Sequence, residues 1–369
     1  MNEVVFMGRP PVTSRFLSNT IMVGIIFLTA TFLPPTIEAY AHEARELYNQ
    51  ALSLTQEGQI AEAERTLKQA IAQFPRFADA HHLLGILQFR QAPESAEAVS
   101  ALRQAIALNP NFAKAYYDLG LILIHQQQFD EARKVLHTAL KVHPNYWQAQ
   151  LTLAQLHEHT QEFAKAKKGY ETVLAVAPSD AEALYGLAYL DNQDNMIEEA
   201  LALTKKLTSA HPQHAKGWHL LGRLAERQSE IPTAIDAYKK AIQYQPDLPR
   251  IHYDLGSLYQ VQRQPQLAIE QFELATQLDP THAETQLNLG LLYAENKQFE
   301  QSEQAYTKAI ELDPTLIEAY YNLGTFYEFY RKDTARALTF YRKYLDLGGE
   351  DGRIQKLVEQ VAKSPETAP

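Results

Sequence analysis

The chain has no cysteine, and that one absence removes disulfides, thiolate zinc sites, thiol nucleophiles and a lipid-bearing cysteine. Stability has to come from packing. Positive charge is short as well: 34 Lys and Arg stand against 44 Asp and Glu, for a formal charge of -10 and a pI near 5.7. No basic run offsets the deficit, which argues against a groove tracking nucleic-acid phosphates. Missing too are a Gly-x-Ser-x-Gly elbow, a Walker loop and a Gly-rich dinucleotide fingerprint, so nothing marks a nucleophile or a phosphate cradle. Acid and base pairs occur only as solvated helix faces. The histidines do not suggest a metal site. His81 and His82 are adjacent and His157 and His159 two apart, so they diverge on a helix, whereas zinc needs ligands converging from one face. His211 and His214 flank a proline and, with His219, read as surface or capping groups. The expectation is a protein with no enzymatic activity, no cofactor and no metal.

What the chain does have is a period. Prolines stand at 110, 144, 178, 212, 246, 280 and 314, an unbroken series of 34-residue steps. With proline at about 5% of residues, six specified repeats of the spacing have a chance on the order of 10^-8. Proline cannot continue a helix and turns its predecessor away from the helical region, so each one marks the end of a unit. The stretch 249–316 states the unit twice. Leu255, Gly256, Tyr259, Ala268, Phe272, Ala275 and Pro280 are followed 34 residues on by Leu289, Gly290, Tyr293, Ser302, Tyr306, Ala309 and Pro314. Counting from the prolines gives nine helix-turn-helix units at 44–77, 78–112, 113–146, 147–180, 181–214, 215–248, 249–282, 283–316 and 317–349.

Position 8 of each unit is small: Ala51, Gly85, Gly120, Ala154, Ala188, Gly222, Gly256, Gly290 and Gly324. The expectation is that this lets the two helices of a unit approach, with the alanines at position 20 (Ala132, Ala166, Ala200, Ala234, Ala268) as its complement. Position 24 is usually large and fills the space between units. One extra residue falls near Pro93-Glu94-Ser95 and another near Asp333-Thr334, both placed in the turn between helices. Unit 181–214 is expected to be the weakest, because Thr204 replaces the aromatic at position 24. After Gly348 and Gly349, the residues Ile354, Leu357, Val358 and Val361 recur at helical spacing and predict a capping helix over 350–363, with a disordered tail at 364–369.

The 34-residue period and this order of residues resemble the tetratricopeptide repeat family. The resemblance implies an all-α fold, a right-handed α-solenoid of about nine tandem helix-turn-helix units with a C-terminal capping helix. It also implies a concave groove, lined by the first helices, that binds other proteins or extended peptide segments. On the packing register, positions 4, 7, 8 and 11 of the first helix face inward, which leaves positions 2, 5, 6, 9 and 12 for another face. Position 5 supplies Tyr117, Tyr185, His219, Tyr253 and Tyr321, and position 6 supplies Asp118, Asp254, Asn288 and Asn322. Tyrosines offer apolar area with a hydroxyl, and short polar groups can bond a peptide backbone, so these nine are the candidate groove residues. Equally, the tyrosines can pack sideways against the next unit.

Residues 1–41 stand apart. Arg9 and Arg15 precede an apolar run at 21–33, then Pro34-Pro35 and Ala39-Tyr40-Ala41, the order of a secretory signal peptide cleaved before His42. Thirteen residues are short of the roughly 20 a membrane span needs, though residues 16–33 together are the alternative, an uncleaved N-terminal anchor. Either reading sends the repeats across a membrane, to a periplasmic or extracellular location, or anchored there. By resemblance, such exported arrays serve envelope assembly or export. The alternatives are the helical arm of a glycosyltransferase or polysaccharide-export system, for which no residues remain outside the array, and a chaperone adaptor. By resemblance the adaptor needs a lysine at position 5, which the units reading Tyr117, Leu151, Tyr185, His219, Tyr253, Leu287 and Tyr321 there do not have.

Overall fold

The computed structural model describes residues 35–363, which form nineteen α-helices and one π-helix without a strand among them. The apolar run at 21–33 and the tail at 364–369 lie outside the described residues. The helices are α1 (Pro35–Gln56), α2 (Ile60–Gln73), α3 (Ala78–Gln91), α4 (Ala96–Leu108), α5 (Ala113–His125), α6 (Phe129–Val142), α7 (Trp147–His159), α8 (Phe163–Val176), α9 (Ala181–Gln193) and α10 (Ile197–Ala210). They continue with α11 (Ala215–Arg227), α12 (Ile231–Tyr244), α13 (Pro249–Val261), α14 (Pro265–Leu278), α15 (Ala283–Glu295), α16 (Phe299–Leu312), α17 (Ile317–Thr325), α18 (Thr334–Asp346) and α19 (Gly352–Lys363). The described residues divide into two compact units, with the boundary between Leu190 and Asp191 inside α9. Among the described residues no helix is long and apolar enough to cross a membrane.

The punctuation seen in the sequence is built from local hydrogen bonds. At the unit junctions Asp279 and Asp313 accept from the backbone N–H of Thr281 and Thr315 at 3.0 and 2.9 Å and from their hydroxyls at 2.6 Å, closing the Asp-Pro-Thr turn. His214 caps α11, its Nδ1 accepting from Gly217 N at 2.9 Å, which is the capping role expected of that histidine. Between the two helices of a repeat the chain turns through one left-handed residue at Gln127, Gln161, Asn195, Ser229, Arg263, Lys297 and Lys332. The next N–H reaches back five residues, as from Gln298 to the Tyr293 carbonyl at 2.8 Å. No glycine relieves these seven positions, so side chains that disfavour positive φ are held there by the packing of the helices on either side.

Glycine at position 8 makes the close approach, but to a different partner from the expected one. A Cβ on Gly290 would lie 2.6 Å from Tyr306 Cδ1, and one on Gly324 2.6 Å from Tyr341 Cδ1. The missing side chain is therefore replaced by the large ring at position 24 of the same unit, and Tyr306 and Tyr341 are fully buried. Position 20 meets the backbone instead: Ser302 Oγ donates to the Gly290 carbonyl at 2.7 Å. In unit 147–180 the small residue moves to the opposite helix, where a Cβ on Gly169 would lie 2.7 Å from that of Ala154. Small against large sets the helix spacing where position 8 is glycine, and small against small does so in unit 147–180.

The extra residue of the last repeat is also not where the turn reading put it. It is absorbed upstream, as the π-helix Phe326–Arg331, and the left-handed turn residue Lys332 follows as in other units. Widening one turn keeps Phe326 and Tyr327 buried while a bulge in the turn would have displaced the second helix. In unit 78–112 the extra residue does sit in the turn, after Gln91 and before Ser95, whose hydroxyl accepts from Glu97 N at 3.0 Å. At the far end α19 packs Ile354, fully buried, with Leu357 and Val358 against Phe326 and Tyr341. Near the start, α1 runs from Pro35 through Ala41 and His42, and Ala44 is fully buried.

Candidate binding surface on the first helices

Positions 5 and 6 turn out to be coupled from one repeat to the next. In the first unit His82, at position 5, donates to the Asp118 carboxylate at position 6 of the following repeat, 2.6 Å away. Tyr117 then bonds Thr152 in the same register. In the second unit His219 meets Asp254 at 2.7 Å, and Asn288 donates to the Tyr253 hydroxyl at 3.4 Å. Each rung joins two first helices side by side, so the row predicted to face a peptide is largely the seam between repeats.

This corrects the expectation for three residues. Asp118 and Asp254 are 5% and 7% exposed, and Tyr117 is 8% exposed with its ring 5.1 Å from that of Tyr146. A buried carboxylate needs a donor, and these two find theirs in the preceding histidine and, for Asp254, also in Arg250 Nε at 2.9 Å. Burial pushes the Tyr117 hydroxyl up to about 12, with Asp118 adding to the rise and the Thr152 bond opposing it. For Tyr117, sideways packing against the next repeat is the correct description.

Elsewhere the candidates keep an open face. Tyr253 is half-buried: its hydroxyl donates to Glu284 at 3.2 Å, and its ring meets His282 at 5.0 Å and the Arg250 guanidinium at 5.2 Å. Its ionisation is pushed up, first by burial and then by Glu284. Tyr321 is half-buried, with its ring 5.4 Å from Tyr344, and Asn322 beside it is half-buried. Tyr185 stacks on Tyr189 at 6.2 Å. His219 and Asn288 are half-buried on the seam itself. Thus His219, Tyr253, Asp254 and Asn288 are brought together in the second unit, Tyr117 and Asp118 share the first unit's seam with His82 and Thr152, and Tyr321 and Asn322 stand on the last repeat.

Outside positions 5 and 6, Arg223 and Phe329 also stand exposed. Arg223, at position 9, is one turn beyond His219 on α11, exposed, and forms no ion pair or hydrogen bond among the described residues. Phe329, on the π-helix, is 50% exposed with the Arg353 guanidinium 5.6 Å from its ring. The signal for Arg223 was the helical interval of four from position 5. For Phe329 the widened turn erased it.

Family models of the tetratricopeptide repeat match residues 48–111, 94–151, 123–182, 160–224, 249–282, 283–316 and 305–339, and a further TPR repeat model matches 227–262. The chain belongs to the tetratricopeptide repeat superfamily. Proteins of this superfamily generally mediate protein or peptide binding, and the fold is typically a non-catalytic scaffold. No curated protein matches the chain. Solved structures that it resembles include the C-terminal part of a TPR repeat-containing protein from Cytophaga hutchinsonii, with 16% identity and a TM-score of 0.53 over 66% of this chain and 99% of that one. Another is pilF of Pseudomonas aeruginosa, with 20% identity and a TM-score of 0.52 over 61% of this chain and 99% of that one. A third is YrrB, described as a TPR protein with an unusual peptide-binding site, with 22% identity and a TM-score of 0.47 over 54% of this chain and all of that one. These likenesses concern the fold.

Proposed function

We propose that this tetratricopeptide repeat protein is a non-catalytic scaffold that holds an extended segment of a partner protein against the first helices of its second unit. The observation that carries the reading is half-exposed Tyr253 with the Arg250 guanidinium 5.2 Å from its ring; Arg223, exposed and without an ion pair among the described residues, stands on the first helix of the preceding repeat. Aromatic area, a hydroxyl and a fork of N–H donors on one face are the means by which a surface holds a peptide with side-chain carboxylates. The leader order of residues 1–41 supports export of the array, by cleavage before His42 or with the leader kept as an anchor, and a place in envelope assembly or export. Such a scaffold needs no chemistry of its own.

The test compares binding with folding in one double variant, Tyr253→Ala with Tyr321→Ala, using the partner recovered from an envelope extract. Loss of about 2 kcal/mol or more of binding with a much smaller change in melting temperature is expected if either ring is a hot spot. Binding per folded molecule equal to wild type would place both rings among packing residues and remove the groove reading.

A further inference from the structure

An acidic chain carries one outward face of unpaired lysines. On α6 the residues Lys134, His137, Thr138 and Lys141 follow at intervals of three, one and three, so they share a face, and with Leu140 they line a shallow open depression of about 550 Å3. Lys168 occupies the register of Lys134 one repeat later, on α8. Most of the nearby carboxylates are already engaged. Asp130 accepts from Arg133 at 3.1 Å, Glu131 from Arg103 at 2.6 Å, and Glu162 from Arg133 at 3.0 Å and from Lys165. Glu171, on α8, makes no ion pair, and the ammonium groups of Lys134, Lys141 and Lys168 make no ion pair or hydrogen bond among the described residues. Three unpaired lysines thus stand against one unengaged carboxylate, Glu171, and positive charge is in excess. His137 registers it, since its pKa is lowered first by desolvation and then by Lys141, Arg133 and Lys165.

We propose that this face of the first unit is a second docking site, separate from the tyrosine surface, for a short acidic segment of a partner protein. The size of the patch selects that occupant. Lys134 and Lys141 are seven residues apart, about 10 Å along a helix, which is the reach of about three residues of extended chain. The wider field selects it as well. With a net charge of -10, the chain repels a long polyanion or an anionic bilayer at a distance, whereas a short acidic segment within one Debye length, about 8 Å at physiological salt, responds to the patch alone. Thr138 and half-buried Leu140 add a hydroxyl and apolar area to which a backbone and a side chain can settle.

The probe is a fluorescein-labelled hexaglutamate peptide, titrated with the full chain and followed by anisotropy. Saturable binding that weakens with salt is expected, and the double reversal Lys134→Glu with Lys141→Glu should weaken it by about tenfold or more. The control Lys308→Glu, on the second unit and already beside Glu311 at 3.1 Å, should leave the affinity unchanged. Melting curves of all three proteins should coincide, because every altered side chain is exposed. A second readout is the titration of His137 by NMR: peptide carboxylates beside it should raise its pKa, a shift that purely structural lysines would not produce. Absence of saturable binding, an affinity indifferent to the double reversal, or a His137 titration unmoved by saturating peptide would overturn the proposal. So would binding to phosphatidylglycerol vesicles tighter than to the peptide, since the occupant would then be a membrane surface.

Discussion

Repeats 249–282 and 283–316 differ from repeat 181–214 mainly at one position. In the first pair, position 24 is Phe272 and Tyr306, fully buried rings that occupy the space left by Gly256 and Gly290. In the other it is Thr204, fully buried, whose hydroxyl donates to the Ala200 carbonyl at 2.7 Å, with Thr208 doing the same to the Thr204 carbonyl at 3.0 Å. Threonine satisfies its polar atom within its own helix and so costs little to bury, but it brings far less apolar area than a ring. A tandem array has no central core to share that deficit among its repeats. The difference shows that the ring at position 24 is the structural filler of a repeat and that a repeat keeps its helix pair without it; lower local stability is the expected consequence.

The sharpest way to break the contrast is to convert one repeat toward the other. Tyr306→Thr should cost about 3 kcal/mol or more by the scale of large-to-small core changes, and amides of α15 and α16 should then exchange at rates close to those of α10. In the unaltered chain α10 should exchange faster than α14 and α16, and uniform protection across the three would remove the comparison altogether. Overfilling the same space should act next in size. Gly290→Leu places a branched side chain where Tyr306 already lies and should destabilise by about 1 to 3 kcal/mol, read as a lower melting temperature. An unchanged melt would mean the ring moves aside freely.

Smaller effects sharpen the contrast at the turns. Lys297, at φ 61° between the helices of repeat 283–316, makes no ion pair or hydrogen bond through its side chain among the described residues. Lys297→Gly relieves the left-handed strain but adds unfolded-state freedom, and the balance should be a gain of about 0.5 kcal/mol, seen as a slightly higher melting temperature. Destabilisation would show that the lysine stem contributes packing. The smallest effect is electrostatic. Lys165, then Thr160, Arg133 and His157, hold the Glu162 carboxyl down at about 2. Because the folded value lies below the ordinary one, its contribution is present above about pH 4.5 and fades as pH falls toward 2. An NMR titration of Glu162 should show that midpoint, and Lys165→Ala should move it upward; a midpoint near 4.5 in the unaltered protein would contradict the network.

Much of the fold was legible because helix endings are a local matter. Proline at every thirty-fourth step cannot be accommodated inside a helix, so the junctions are readable without knowing any contact. The capping helix was legible for the same reason, through the spacing of Ile354, Leu357, Val358 and Val361. The candidate surface was less so. A tyrosine at position 5 looks the same in the sequence at 117 and at 253, yet one is buried against Tyr146 and the other keeps an open face beside Arg250. Asp118 and Asp254 looked free and are engaged by histidines 36 and 35 residues away.

The sequence by itself determined the period, the helix pairs and the small residue at position 8, because each depends on backbone chemistry within a few residues. Only the tertiary structure decided what fills the space over that small residue and which polar groups of the first helices are spent on the seam. It also decided where the extra residue of the last repeat goes. Those outcomes depend on the distance between helices a repeat apart, where a buried ring or carboxylate settles by whichever neighbour meets it, and no local pattern carries that distance.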